Sequence, residues 1–271
     1  MSGLAEGAGE GEQGAATTPA PGELRPDSPA ERLAFGVLPS TRTYRLGRAR
    51  LAVLADEVAA LGRALGRAPR VLDAGVGQCK VQRLYQHHHS DLPVEWHGLD
   101  LLAYRLELRL EVEGIRRVQG SLDALPYRDG AFDAVVCSWV LQHLRDPAGA
   151  LREMARVLRP GGLLLLAVPN GPPPLRLLRE LVHPLYTRWR TRRGREFPYN
   201  AQIQFYDLGR VRRLVRAAGL EPRRWQGLGF VTGGPLGWLE DLRWYYRLNL
   251  WLGARLPGLT QSLVCVAERP A

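Results

Sequence analysis

The sequence predicts an α/β fold in which helices cover both faces of a mostly parallel β-sheet. Two observations carry this prediction. Residues 71–79 form an apolar run that ends in a tight glycine turn, and residues 79–88 continue with a helical pattern. Four further short apolar runs follow over the next ninety residues, with helical patterns or turns between them. This order is typical of a doubly wound sheet, whose ligands bind beyond the carboxyl ends of the strands.

The first turn, Asp-Ala-Gly-Val-Gly, is the most informative motif. Gly75 and Gly77 allow positive φ and let a ligand approach the backbone, and the helix start supplies free N–H groups. A dinucleotide-binding turn requires a third glycine where Lys80 stands. A phosphate-binding loop requires Gly-Lys-Ser/Thr, which is also missing. The remaining pattern is an acid, Asp73, followed by two glycines.

The elements that follow can be predicted in order. Residues 94–100 form a second strand that ends in Asp100, where an acid can accept the ribose hydroxyls of a nucleoside. A helix over 103–113 and a strand over 117–121 come next, and residues 132–139 form the fourth strand. Asp146 and Pro147 begin a helix, which Gly161-Gly162 ends before a fifth strand at 163–168. Helical spacing over 206–219, with Gly219 as the stop, precedes strands near 223–227 and 261–267.

Five blocks in a fixed order carry a resemblance. They are Asp-x-Gly-x-Gly at 73–77, Gly-Ser-Leu-Asp-Ala-Leu-Pro-Tyr at 120–127, Phe-Asp with an apolar strand from 132, Leu-Gln-His at 141–143, and Leu-Arg-Pro-Gly-Gly at 158–162. With these blocks, residues 70–170 resemble the class I S-adenosylmethionine (SAM)-dependent methyltransferases, in particular the methyltransferase type 11 group that includes the ubiquinone and menaquinone biosynthesis enzymes.

The resemblance implies a Rossmann-like, seven-stranded, mostly parallel sheet whose last strand runs antiparallel beside the fifth. It implies SAM as the cofactor and no metal. The implied cofactor-binding residues follow the first four strands: Asp73, Gly75, Gly77, Asp100, Leu101, Ser121, Leu122, Asp123 and Ser138.

The chain departs from the family pattern at two positions. Cys79 stands in place of the third glycine, and we interpret it as a small residue that eases helix–strand packing. Ser121 occupies the position of the acid that takes the adenine amino group, while an acid, Asp123, follows two residues later. Either side chain can accept that hydrogen bond, so the adenine contact stays open between them.

His143 is the candidate catalytic residue. Its block follows the fourth strand, at the end of the site where the methyl group is transferred, and an imidazole can remove a hydroxyl proton near neutral pH. The alternative is that His143 only shapes the pocket. The three histidines at 87–89 do not indicate a metal site, because adjacent residues of a helix face different directions.

Composition divides the chain into a tail and one domain. Residues 1–31 are rich in Gly, Ala, Glu and Pro, which predicts a disordered tail. Residues 32–271 form a single methyltransferase domain, in which an amphipathic helix over 44–66 precedes the first strand. Two segments, 171–203 and 236–257, are expected to be lid or substrate-covering elements. The aromatic stretch 237–256 is core wall, dimer surface or a membrane-facing lip, and core wall is favoured.

Net charge limits the possible partners of the protein, and cysteine usage limits its compartment. The net charge is +10, yet Lys80 is the only lysine among 37 basic residues, so the excess of arginine indicates codon bias more than nucleic-acid binding. Three widely spaced cysteines without a Cys-x-x-Cys pair favour a reducing compartment. Neither a signal peptide nor a membrane span is evident, so we expect a cytoplasmic protein, with peripheral membrane contact left open.

The expected function is methyl transfer from SAM to a small-molecule acceptor by SN2 displacement. The acceptor is a hydroxyl or an activated carbon on an aromatic, quinone-like or lipid-like molecule. The alternative is a non-catalytic SAM-binding regulatory or partner protein, and an RNA methyltransferase is less favoured. The sequence indicates no oligomeric state.

Overall fold

The computed structural model describes residues 44–101, 112, 114–171, 204, 206–230 and 242–271 of the chain. Its strands are β1 (Arg70–Ala74), β2 (Glu95–Asp100), β3 (Ile115–Gln119), β4 (Phe132–Ser138), β5 (Leu158–Pro169), β6 (Glu221–Leu228) and β7 (Ser262–Glu268). Its helices are α1 (Tyr44–Leu65), α2 (Lys80–His88), α3 (Pro147–Val157), α4 (Leu208–Ala217) and α5 (Arg243–Arg255), with short 3-10 turns at Leu141–His143 and Pro257–Leu259.

The described strands form one seven-stranded sheet in the order β3-β2-β1-β4-β5-β7-β6. Strands β1 to β5 pair in parallel, and β7 runs antiparallel to both of its neighbours, β5 and β6. The predicted Rossmann-like sheet with an antiparallel last strand is confirmed. Because the chain moves outward through β2 and β3 and returns to β4 beside β1, the order reverses between β1 and β4. Ligands of open α/β sheets bind at such a switch point.

Alternating strand residues build two cores, one on each face of the sheet. Val71 and Val136 lie in one core with apolar residues of α1 and α2, while Leu72 and Val135 lie in the other with α3 and α4. This follows from the period of two along a strand, which turns successive side chains to opposite faces. Helices therefore cover both faces, as predicted.

Helix ends follow local chemistry. The Asp146 carboxylate accepts a hydrogen bond from the backbone N–H of Gly149 over 2.9 Å at the start of α3, with Pro147 in the first helical position. Asp207 caps α4 in the same way. Gly219 follows α4 with a φ of +79°, the left-handed conformation that ends a helix. The predicted start of α3 and the predicted stop after α4 are confirmed.

The predicted role of Gly161-Gly162 is wrong. Helix α3 ends at Val157 and β5 begins at once, so both glycines lie inside the strand. The pairing of β4 with β5 shifts register here, and a Cβ on Gly162 would lie 2.8 Å from the carbonyl oxygen of Arg159. The glycines therefore permit an irregular strand in which the backbone folds closely on itself.

Several boundaries differ or lie outside the described residues. Strand β3 spans Ile115–Gln119, two residues earlier than predicted, because Gly120 and Ser121 already belong to the turn. The predicted tail at 1–31, the helix at 103–113 except residue 112, and the lid at 171–203 except residue 171 lie outside the described ranges. Of the predicted element at 236–257, residues 242–257 are described.

The interpretation of the aromatic stretch as core wall is wrong for Trp244 and Trp251, and Trp238 lies outside the described residues. In α5, Tyr245 and Asn249 are buried, but Trp244 is 61% exposed and Trp251 is 51% exposed. The helix packs Tyr246 and Leu250 against the core and turns the indole rings of Trp244 and Trp251 outward. None of the helices in the described part of the chain has the length and apolar character needed to cross a bilayer.

Candidate cofactor-binding site

The glycine turn after β1 is tied to the end of β2. The N–H groups of Gly75 and Val76 both donate to the carbonyl oxygen of Leu99, over 2.7 and 3.0 Å. Gly75 has a φ of +90° and Gly77 a φ of +48°, so the turn requires the freedom that glycine has. The predicted conformational reason for both glycines is confirmed.

Asp100 holds the same turn from the other side. Its carboxylate, only 5% exposed as a residue, accepts a hydrogen bond from the N–H of Gly77 over 3.0 Å. Leu101, the next residue, is 63% exposed. The turn and the acid at the end of β2 therefore form one hydrogen-bonded unit, which places a negative charge beside the backbone of the turn.

A second contact joins the turn to the loop after β4. A Cβ on Gly75 would lie 2.9 Å from Val140 Cγ1 and closer still to Cγ2. Any side chain at this position would thus push apart the loops that follow β1 and β4. These are the two strands that flank the switch point, so their close approach shapes the crevice between them.

Cys79, which stands in place of the family's third glycine, is buried and adopts a backbone conformation that favours glycine. It caps α2 in the left-handed conformation, with a φ of +53° and a ψ of +36°, and it is 1% exposed. A glycine would adopt this conformation without strain, whereas a residue with a Cβ costs about 1–2 kcal/mol there. The residue at this position must therefore fit both a left-handed backbone and a buried space.

Asp73 faces inward. Its carboxylate accepts a hydrogen bond from Gln82 Nε2 over 2.7 Å, and both side chains are buried. Burial raises the pKa of Asp73 to about 7, the bond from Gln82 works against that rise, and the nearby charge of Asp100 adds to it. The Gln82 Oε1 atom is buried and has no hydrogen-bond partner among the described residues.

In the turn after β3, Ser121 and Asp123 have different roles. The Ser121 hydroxyl donates to Oδ2 of Asp123 over 3.1 Å and accepts from the Asp123 N–H over 3.2 Å. Asp123 is exposed, whereas Leu122 is buried. Ser121 thus orients the acid, and Asp123 is the stronger acceptor of the two. The N–H of Gly120 bonds to the Asp100 carbonyl over 3.1 Å, which ties this turn to β2.

Ser138 ends β4, and the loop that follows contains Trp139 and His143. Trp139 has a φ of +59° and is 42% exposed. The buried Gln142 side chain donates from Nε2 to the Trp139 carbonyl over 2.8 Å, and the same nitrogen lies 3.2 Å from His143 Nε2. An amide N–H₂ can only donate, so His143 Nε2 accepts and a neutral imidazole carries its proton on Nδ1.

The structure therefore brings the predicted residues to one edge of the sheet. Hydrogen bonds link the turns after β1, β2 and β3, and the contact of Gly75 with Val140 adds the loop after β4. Sequence reasoning missed Gln82 and Gln142, buried amides that hold Asp73 and His143. A polar residue on the apolar face of a short helical segment is the signal that could have found them. No cluster of three or more His, Cys, Asp or Glu side chains in the described ranges is arranged to hold a metal ion.

Comparison with known proteins agrees with this geometry. Residues 72–166 match the family model of a methyltransferase domain. A demethylmenaquinone methyltransferase of Deinococcus radiodurans is 31% identical over 201 residues, which cover 68% of this chain and 80% of the relative. One of Renibacterium salmoninarum is 34% identical over 136 residues, 47% of this chain and only about half (48%) of the relative's length.

A solved structure shares the fold. A SAM-dependent methyltransferase of Thermotoga maritima matches with a TM-score of 0.51 at 17% identity, and the match covers 84% of this chain and 93% of that one. The sheet, the glycine turn and the acids beside it define a class I Rossmann-like methyltransferase domain. The chain belongs to the SAM-dependent methyltransferase family, as the extent of the Deinococcus match shows.

The site residues fit SAM on their own chemistry. The carboxylate of Asp100 lies close enough to Asp73 for its charge to raise the pKa of that acid, and it places a negative charge beside the turn. SAM carries a cationic ammonium group and a sulfonium, and it has no phosphate that would require a cation at the turn. The Gln82 side chain, whose Nε2 donates to Asp73, leaves its Oε1 atom buried without a partner in the described part of the chain.

Proposed function

We propose that the protein transfers the methyl group of SAM to a small apolar acceptor, at a hydroxyl or an activated carbon of an aromatic, quinone-like or lipid-like molecule. The observation that carries the proposal is the bond from the Gly77 N–H to Asp100, which joins the glycine turn and the strand-end acid at the switch point. The demethylmenaquinone methyltransferases among the relatives support a quinone-like acceptor. The exposed Trp139 ring supplies an aromatic surface beside it.

Each end of the cofactor has its own residues in this proposal. Asp100 accepts the ribose hydroxyls, and Leu101 covers the nucleoside with its exposed side chain. Asp123, oriented by Ser121, accepts the adenine amino group, and the N–H of Leu122 serves the ring nitrogen. Gly75, Gly77 and Ser138 line the methionine portion, and Asp73 supports the turn from below. This choice of Asp123 over Ser121 follows from the hydroxyl bond already made within the turn.

The chain's residues act mainly by positioning. SAM supplies an electrophilic sulfonium methyl group when bound, so the protein must align donor and acceptor and exclude water. We assign His143 a positioning role, because the lone pair of its Nε2 is already occupied by the bond from Gln142. A base at this nitrogen would first have to break that bond.

Substitution of Asp100 tests the cofactor site. Asp100→Ala should weaken binding of S-adenosylhomocysteine by ~2–4 kcal/mol, the value of one or two charge-assisted hydrogen bonds. In isothermal titration this is a loss of about 30- to 1,000-fold in affinity. Glu221→Ala, at an exposed position on β6, is the control and should bind as the wild type does. Equal affinity for Asp100→Ala and wild type would remove the ribose assignment.

Turnover tests the acceptor. Methyl-labelled SAM is incubated with the protein and chemically reduced demethylmenaquinone, and the extracted lipid is counted. Labelled product supports the quinone-like class, while transfer to a polar extract fraction alone contradicts it. Binding of SAM with no transfer to any fraction favours the non-catalytic alternative.

The aromatic face of α5 completes the proposal. Trp244, Leu248 and Trp251 are all exposed at spacings of four and three residues, which places them on one side of the helix. The guanidinium of Arg255 lies over the Trp251 ring, 3.9 Å from its centroid. Indole rings beside arginines favour the interface of an anionic membrane. We propose a cytoplasmic protein that makes peripheral contact with the membrane through this face, where an apolar acceptor dissolves.

A further inference from the structure

Two side chains of α3, Glu153 and Arg156, hold the loop that joins β3 to β4. The carboxylate of Glu153 accepts a hydrogen bond from the backbone N–H of Leu125 over 2.8 Å. The guanidinium of Arg156 donates to the carbonyl oxygens of Leu125 and Tyr127 over 3.1 and 2.8 Å. It also donates to Oδ1 of Asp129 over 2.7 Å. This segment of the loop is therefore attached at four points to a helix that lies 27 to 31 positions further along the chain.

Every donor of the Arg156 guanidinium is used. A guanidinium has five N–H groups. Two of them bind Glu153 side by side, from Nε to Oε1 and from Nη2 to Oε2, over 2.8 Å each, and the other three bind the loop. The hydrogen bond from Arg156 keeps the pKa of Glu153 below its usual value, so this carboxylate is ionised at neutral pH. Because the donors of the planar fork have fixed directions, the pair holds the loop in one position relative to α3.

The segment that α3 holds begins only two residues after Asp123. At the other end of the same turn, the N–H of Gly120 bonds to the carbonyl oxygen of Asp100 over 3.1 Å. Between these attachments, the side chains of Leu122 and Leu125 are buried in the core that α3 also lines. The turn that carries the Asp123 carboxylate and the Leu122 N–H is thus held between the end of β2 and α3.

We propose that Glu153 and Arg156 are positioning residues that set how strictly the protein recognises the adenine base. This inference rests on the proposed function, in which Asp123 accepts the adenine amino group and the N–H of Leu122 serves the ring nitrogen. A shift of about 0.5 Å in the turn is enough to take either bond out of its usual range of distances. A turn released from α3 still allows the nucleoside to bind through its ribose, but it distinguishes adenine less well from another base.

Two nucleosides measure this recognition. S-adenosylhomocysteine carries adenine, whereas S-inosylhomocysteine carries hypoxanthine, whose carbonyl oxygen and ring N–H oppose the acceptor of Asp123 and the donor of Leu122. Isothermal titration of the wild type should show a preference for adenine of roughly 100-fold or more. In Arg156→Met, affinity for S-adenosylhomocysteine should fall about tenfold while that for S-inosylhomocysteine stays the same, so the preference shrinks. Glu153→Leu, which removes the acceptor of the Leu125 N–H, should shrink it as well.

Arg152→Met is the matched control and should keep the wild-type preference. Arg152 lies one turn earlier on α3, its side chain is 61% exposed, and it contacts Asp146 over 3.9 Å. Arg156→Lys keeps the charge without the fork, so its preference should fall between those of Arg156→Met and wild type, and it replaces Arg156→Met if that variant does not fold. A purely structural role would lower the melting temperature and leave the ratio of the two affinities unchanged. That result in a folded Arg156 variant overturns the proposal.

Asp123→Ala separates the positioning role from the adenine assignment. If both hold, Asp123→Ala lowers the preference for adenine, and adding Arg156→Met lowers it by less than in the wild-type background, because both changes act on one contact. An unchanged preference in Asp123→Ala removes the assignment of Asp123 alone, and Arg156→Met must then still lower the preference, through the N–H of Leu122, for the positioning role to hold. A reduced preference in Asp123→Ala with an unchanged one in Arg156→Met overturns the positioning role and leaves the adenine assignment standing.

Discussion

Replacing Gly75 by alanine tests how the first turn supports the site. The backbone there has a φ of +90°, which costs an L-residue about 1–2 kcal/mol. The new Cβ would lie 2.9 Å from Val140 Cγ1 and 3.2 Å from its Cβ, an overpacking that costs ~1–3 kcal/mol. The free energy of unfolding should therefore fall by ~2–5 kcal/mol, within the 5–15 kcal/mol that a domain has.

Gly77→Ala is the matched control. Gly77 also has a positive φ, +48°, but the nearest atom to its added Cβ would be the Gly75 carbonyl oxygen at 3.9 Å. This variant should lose only the conformational part, about 1–2 kcal/mol. Urea unfolding of the ligand-free proteins, followed by circular dichroism, measures both. With a slope of ~2–3 kcal/mol per molar, Gly75→Ala should lower the midpoint by about 0.7–2.5 M.

A second substitution identifies the contact. Val140→Ala removes the two methyl groups that the new Cβ would meet, so the double variant Gly75→Ala/Val140→Ala should recover ~1–3 kcal/mol relative to the sum of the single changes. Binding of S-adenosylhomocysteine should follow the same order, because the contact of Gly75 with Val140 holds the loops after β1 and β4 together at the site. Strict additivity of the two changes, or equal loss in Gly75→Ala and Gly77→Ala, would refute the reasoning.

Three further predictions concern other parts of the site. Burial raises the pKa of Asp73 to about 7, whereas the unfolded state releases this proton near the usual pKa of 3.8. The contribution of Asp73 to stability therefore falls as pH rises between those two values. The urea midpoint of Asp73→Asn should accordingly rise relative to that of wild type from pH 5 to pH 8. A gap that does not change with pH would show that Asp73 is ionised when folded. Gln142→Leu should remove the bond that fixes the proton of neutral His143 on Nδ1. Nitrogen NMR should then show the Nδ1–H form in wild type and a mixture of both tautomers in the variant. The same mixture in both proteins would contradict the bond from Gln142. The double variant Trp244→Ser/Trp251→Ser should abolish flotation with vesicles of phosphatidylcholine and phosphatidylglycerol, with Arg152→Ser on the opposite face of the sheet as control; unchanged flotation, or a concentration-dependent dimer lost in the variant, would assign the face otherwise.

Local chemistry explains what the sequence predicted correctly. Gly75 and Gly77 mark a turn that side chains cannot adopt, and Asp146 and Asp207 cap helices through bonds to N–H groups three residues away. The period of two in the strands and the spacing in α1 also follow from neighbours along the chain. These features made the order of elements and the position of the site predictable.

Contacts between distant segments explain what was missed. The indole rings of α5 are as apolar as a core requires, and only the seating of Tyr245 and Asn249 on the inner side turns Trp244 outward. The glycines at 161–162 look like a helix stop, yet the pairing of β5 with β4 places them within a strand.

The sequence by itself determined the strand order along the chain, the bends at its glycines and the acids that end its strands, because each depends on the conformation of a few consecutive residues. Tertiary structure alone decided that Arg50 lies on Trp139, that Gln142 holds His143, and that Ser121 orients Asp123. Such relations depend on where side chains meet once the sheet has assembled, and no spacing along the chain encodes the distance between α1 and the loop after β4.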